Sequence, residues 1–185
     1  MNREKMDIEE ILQTDIDKKE KLHYLITLYG NDVLKISYIY LKNIQLAEDV
    51  TQDVFLRCLE QLDNFKGNSS YKTWVIRITV NRCKDVLKSW SYRNLILLES
   101  FSYFKDKNTN YVDPLHNTED YSLSEKVMQL PIKLREVIIL FYYEDFTIDE
   151  ISKILKINPN TVKSRMHRGR ERLKKIILEG RNNNG

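Results

Sequence analysis

Apolar residues recur at helical spacing along most of the chain, and the pattern breaks only once for long. Leu22, Leu25, Ile26 and Tyr29 form one helical group, then Val33, Ile36 and Tyr40 a second, with a break or kink expected at Gly30-Asn31. Lys42-Asn43 reads as a short loop. Ala47, Val50, Val54 and Cys58 form the ridge of a helix over residues 47–62, widened by Phe55, Leu59 and Leu62. Residues 63–70 are turn-rich but hold Phe65. Ser70 or Thr73 can then cap a helix to about Trp90, with Ile76, Val80, Cys83, Leu87 and Trp90 inward.

From residue 93 to 121 the periodicity dissolves into a polar, turn-prone stretch, which predicts an interdomain linker. Helical spacing returns at 122–129, where Ser122 is placed as a cap with Glu125 three residues on. Pro131 opens a helix over 132–143, with Leu134, Val137, Ile138 and Phe141 inward. Thr147 and Glu150 make a capping box for Ile148, Ile151, Ile154 and Leu155. Asn158 can cap a further helix, with Pro159 in its first turn. Two helices so closely spaced must cross steeply, which is a helix-turn-helix.

The expected fold is all-α: two helical domains joined by a flexible acidic linker, the second carrying the helix-turn-helix. The boundaries are a leader at 1–18 (frayed, with one helical turn at most), a first domain at 19–92, the linker at 93–121, a second domain at 122–180 and a disordered tail at 181–185.

Charge sharpens this division. The chain carries a formal +3. Residues 1–92 are neutral, 93–121 carry −2 and 122–185 carry +5. Residues 159–175 hold seven Lys and Arg against Glu171, a local +6 on the second helix of the helix-turn-helix. Such a concentrated field is the footprint of a nucleic-acid reader. Asp49, Gln52, Asp53, Arg57 and Glu60 share one face of their helix, either a solvated surface or a docking face for a basic partner. Arg77, Asn81, Lys84 and Lys88 make a polar stripe near Trp74, suited to strand backbone and unpaired bases or simply to solvent.

Other classes fit less well. No apolar run approaches the ~20 residues of a membrane span, and the acidic N-terminus lacks the order of a signal peptide, so a cytoplasmic protein is expected. Cys58 and Cys83 lack paired spacing and read as buried thiols. His23, His116 and His167 are far apart, with no metal-binding or phosphate-loop motif, so neither an enzyme nor a cofactor or metal is expected.

Two motif sets then agree. Ala47-Glu48-Asp49-Val50-Thr51-Gln52-Asp53-Val54-Phe55-Leu56-Arg57 resembles the core-binding segment of region 2 in sigma factors of bacterial RNA polymerase. The stretch from Phe65-Lys66-Gly67-Asn68-Ser69-Ser70 through Trp74 to Ile78 resembles the promoter-opening part of that region. Leu130-Pro131, Arg135-Glu136-Val137 and the helix-turn-helix through Lys163-Ser164-Arg165 resemble region 4. With these regions and a linker alone, the chain is similar to the extracytoplasmic-function (ECF) subfamily. A LuxR-type helix-turn-helix regulator, the alternative, would explain residues 122–178 but neither segment of the first domain.

The resemblance implies residue roles. Asp49, Gln52, Asp53 and Arg57 would meet the clamp helices of the largest subunit of core RNA polymerase, and the second domain the flap region of the second-largest. Phe65, Ser69, Ser70 and Asn81 would hold a flipped base of the −10 element, with Trp74, Arg77 and Lys84 supporting the melted strand. Lys163, Ser164, His167 and Arg168 would read the −35 major groove, and Arg165, Arg172 and Lys174 would hold phosphates. Promoter DNA, core polymerase and an anti-sigma factor are the implied partners. Lys156 stands where the family has a small residue or Gly, which argues against a left-handed turn there.

Overall fold

The computed structural model describes residues 10–12, 14–89 and 121–182. The leader before residue 10, Trp90 and the linker expected at 93–121 up to residue 120 lie outside them. Contacts divide the chain into two units, residues 1–111 and 112–185. Among the described residues lie seven α-helices of eight residues or more, and no strand.

In the first unit, α1 (Lys18–Leu41), α2 (Ile44–Gln61) and α3 (Tyr71–Lys88) each pack on the other two. Asp17 caps α1, its carboxylate accepting from the Lys19 amide at 3.0 Å. The break expected at Gly30-Asn31 is absent, and α1 runs straight through. A mid-helix Gly costs only ~1 kcal/mol relative to Ala. Leu25, Leu28, Tyr29, Val33 and Ile36, all buried around it, outweigh that. Ile26, a member of the same apolar group, is exposed.

Asn43 caps α2 by accepting from the Leu46 amide at 3.0 Å, so this helix starts three residues before its apolar ridge. Ala47, Val50, Val54, Phe55 and Cys58 are buried as expected. Burial of α3 is broader than a single stripe: Thr73, Trp74, Val75 and Ile76 are buried in succession, with Thr79, Val80 and Cys83 beyond them. The Thr79 hydroxyl donates to the Val75 carbonyl at 2.9 Å, so its burial leaves no donor unsatisfied. Burial pushes the thiols of Cys58 and Cys83 up to about 12. Both therefore stay protonated and act as small apolar groups.

The leader's described residues hold a short helical stretch at 10–11 and little regular structure beyond it, but one of its side chains is packed away. Leu12 is fully buried, although the residues around it are mostly polar or charged.

In the second unit, α4 (Tyr121–Met128), α5 (Ile132–Tyr142), α6 (Ile148–Leu155) and α7 (Pro159–Asn182) surround a core of Val127, Val137, Ile138, Leu140, Ile151 and Val162. Ser122 lies inside α4 rather than at its cap. Pro131 itself caps α5. That helix is buried nearly all round from Arg135 to Leu140, while Leu134 and Phe141 are only half-buried. Arg135 is tolerated there because its guanidinium donates to the Met128 carbonyl at 2.7 Å. Residues 181 and 182, expected in the disordered tail, belong to α7, and the rest of that tail lies outside the described residues. No helix among the described residues is long and apolar enough to cross a membrane.

Candidate nucleic-acid interface

The capping box forms as read. The Thr147 hydroxyl accepts from the Glu150 amide at 3.3 Å, and the Glu150 carboxylate accepts from the Thr147 amide at 2.9 Å. Contrary to expectation, Lys156 does adopt the left-handed turn, at φ 55° and ψ 47°. A non-glycine residue there costs ~1–2 kcal/mol. Reciprocal bonds offset it: the Ile157 amide donates to the Ser152 carbonyl at 3.1 Å, and the Ser152 hydroxyl donates to the Ile157 carbonyl at 2.7 Å. Asn158 then caps α7, accepting from the Asn160 amide at 2.8 Å.

This turn fixes the rotation of α7. Val162, Met166 and Gly169 are buried, and on the opposite side Lys163, Ser164, His167 and Arg168 are exposed. Gly169 is required by proximity: a Cβ there would lie 2.9 Å from Ile138 Cγ1. The Ser164 hydroxyl donates to the Thr161 carbonyl at 3.0 Å, which leaves only its lone pairs for a base edge. Arg165 departs from its expected role. Its Nη1 donates to Glu136 Oε1 at 2.8 Å, so it ties α7 to α5 instead of lying free for phosphate. Arg172 is exposed.

On α2, Asp49, Gln52 and Glu60 are exposed, whereas Asp53 and Arg57 are partly withdrawn. Asp53 pairs with Arg57 at 3.5 Å and with Arg82 of α3, forming a bridge between helices. Helical offsets put Asp53 on the docking face but do not disclose the cation arriving from α3. Leu56, absent from the expected docking residues, is 60% exposed and sits four residues from Gln52 and Glu60. An apolar side chain standing on a polar helix face was the available signal.

Between α2 and α3, a 3-10 turn (Leu62–Asn64) leads into the loop at 65–70. Phe65 is half-buried and stacks on Tyr71, with ring centroids 4.4 Å apart and planes 27° apart. It also tilts against Trp74 at 5.1 Å. Trp74 is only 6% exposed, so it floors this cluster and is not an open plate for an unpaired base. Ser70, not Thr73, caps α3, accepting from the Thr73 amide at 3.1 Å. Ser69 is half-buried, and Gly67 takes φ +69°, where an added Cβ would meet nothing within 4 Å. Arg77, Asn81 and Lys84 line one side of α3 at intermediate exposure, as the stripe predicted.

A groove of about 530 Å³ opens in the second unit, walled by Leu123, Val127, Tyr142, Leu173, Ile177 and Leu178, with Arg170 and Lys174 at its edge. Among the described residues no group of His, Cys, Asp or Glu could hold a metal ion.

Comparison with known proteins assigns these pieces. Residues 25–91 match the model of Sigma-70 region 2, and residues 121–173 that of Sigma-70, region 4. The ECF RNA polymerase sigma factor SigW of Bacillus subtilis is 30% identical over 164 residues, spanning 84% of this chain and 88% of the relative. The chain belongs to the ECF sigma factors of RNA polymerase. The ECF RNA polymerase sigma-E factor of Escherichia coli K12 is 28% identical over 167 residues, covering 83% of this chain and 84% of its own. Among solved structures, the sigma factor RpoE of Bartonella quintana, in complex with the anti-sigma factor NepR, aligns with a TM-score of 0.64. It is 21% identical, over 83% of this chain and 94% of that one. CnrH, in complex with the cytosolic domain of CnrY, gives the same TM-score at 18% identity, over 94% of this chain and 96% of its own. These likenesses show a shared fold. An ECF sigma factor recognises promoters and starts transcription. The region 2 match also disposes of the LuxR-type alternative, which has no place for residues 25–91.

Proposed function

We propose that this sigma factor fastens core RNA polymerase to promoters by two DNA contacts and two protein contacts. On α7, Lys163, Ser164, His167 and Arg168 read base edges of the −35 major groove, and Arg172 holds phosphate. Arg165 braces that helix from behind. The carrying observation is the row Lys163, Ser164, His167 and Arg168, exposed opposite the buried Val162, Met166 and Gly169. Each bidentate contact from Lys or Arg to guanine adds ~1–3 kcal/mol of discrimination.

In the first unit, the loop at 65–70 and Asn81 take up an unpaired −10 base, over the packed rings of Phe65 and Trp74. Arg77 and Lys84 follow the strand backbone. Capture of the base offsets an unstacking cost of a few kcal/mol. Asp49, Gln52 and Leu56 form the centre of the face for the clamp helices, with Asp53 and Arg57 at its edge. The apolar groove of the second unit seats the flap region of the second-largest subunit. Residues 19–92 and 122–180 act as the two binding domains, with 93–121 between them.

The chain works in the cytoplasm, where its polymerase is, and performs no catalysis of its own. An anti-sigma factor is a further partner of this reading, in keeping with the complexes in which both structural neighbours were solved. Open-complex formation tests the whole: core polymerase with this chain should render −10 thymines reactive to permanganate on a duplex promoter. Core polymerase alone should leave them protected, and equal protection in both would refute the reading.

A further inference from the structure

The loop at 65–70 is held at both of its roots, at one by the first residue of α1 and at the other by the segment before α1. At one root, the Lys18 ammonium meets the Asp63 carboxylate at 2.6 Å, on the 3-10 turn from which the loop departs. At the other, the Tyr71 hydroxyl donates to the Leu12 carbonyl at 3.2 Å, across 59 positions of sequence. Leu12 is fully buried, and its turn is closed by Thr14, whose amide and hydroxyl donate to the Ile11 carbonyl at 2.9 and 2.7 Å. The Tyr71 ring, held in this way, is the one on which Phe65 stacks. Partial burial also raises the Tyr71 phenol above its ordinary value, so the hydroxyl keeps its proton and remains a donor. Between the two roots Gly67 takes φ +69°, with open space where its side chain would stand.

We propose that residues 10–12 and 14–18 form a positioning element for −10 capture: through Leu12 and Tyr71 they hold Phe65 in place, so that the loop meets an unpaired base already ordered. The proposal rests on the reading that this loop holds a −10 base. Its physical basis is preorganisation, because a loop ordered before binding loses less entropy when the base arrives. Neither Leu12 nor the Tyr71 hydroxyl need touch DNA.

The test uses holoenzyme assembled from core polymerase and the full chain, titrated with a fluorescent single-stranded −10 oligonucleotide. Urea unfolding of the same variants is followed in parallel. Tyr71→Phe keeps both rings and removes one hydrogen bond; it should weaken strand binding about three- to tenfold, the scale of one such bond, with the urea midpoint unchanged. Leu12→Ala should weaken binding at least as much, and Phe65→Ala should nearly abolish it. Native affinity in Tyr71→Phe and Leu12→Ala, with loss in Phe65→Ala, overturns the positioning role and leaves the loop reading standing. Native affinity in all three removes both. A loss in Leu12→Ala that only tracks a lowered urea midpoint, with Tyr71→Phe silent, makes the segment a stability element and overturns the proposal.

Discussion

Arg165 on the recognition helix donates to Glu136 on α5 at 2.8 Å, and Glu136 is only 4% exposed. This cation of the recognition helix is therefore a structural tie. Arg165→Ala should destabilise the second unit by about 1.5–3 kcal/mol, the range for a hydrogen bond between charged groups, as read by urea unfolding. Arg172→Ala should leave that midpoint unchanged, weaken all promoters alike and reduce the salt slope of DNA binding by about one.

Leu56 and Asp53 separate docking from folding on α2. Leu56→Asp should lower core affinity at least about tenfold, the effect of placing a charge in a desolvated interface, with an unchanged melting temperature. Asp53→Ala removes the partner of Arg57 and Arg82, so it should cost about 1 kcal/mol of stability, as partly exposed pairs do. Titration of labelled core polymerase alongside thermal melts distinguishes the two.

Gly169 meets Ile138 more closely than a methyl group allows. Overpacking costs ~1–3 kcal/mol, while replacing a helical Gly by Ala returns ~1 kcal/mol. Gly169→Ala should therefore lose about 1 kcal/mol in urea unfolding. Combined with Ile138→Ala, the losses should be less than additive, because the second change opens the space that the first one fills.

Cys58 and Cys83, pushed up from 9.0 to about 12, should resist alkylation at pH 8 in the folded chain and react readily in urea. Because these acids are harder to ionise when folded, their contribution is present below pH 9 and is lost as pH rises towards 12. The urea midpoint should fall over that window, and fall less in a Cys58→Ala, Cys83→Ala chain.

Local signals carried most of the fold. The Thr147–Glu150 box, the Asn158 cap and the ridge from Ala47 to Cys58 each depend on neighbours within a few residues, and each formed as read. What sequence could not disclose were meetings across the chain. Arg82 reaches Asp53, Glu136 reaches Arg165 and Tyr71 reaches Leu12, and each meeting changed the role of a candidate residue or segment. Lys156 is the local exception. Its left-handed turn holds because Ser152 and Ile157 bond to each other across it, not because of the residue in the turn.

As a sigma factor with regions 2 and 4, this chain should make core RNA polymerase choose promoters at two separate elements. Transcription by core polymerase plus this chain from a randomised promoter library tests it most directly. Transcripts should depend on the chain and derive from templates enriched in two sequence blocks at one fixed spacing. Lys163→Ala or Arg168→Ala should relax only the upstream block. No chain-dependent transcripts, enrichment of a single block, or unaltered preferences in both variants would contradict the account.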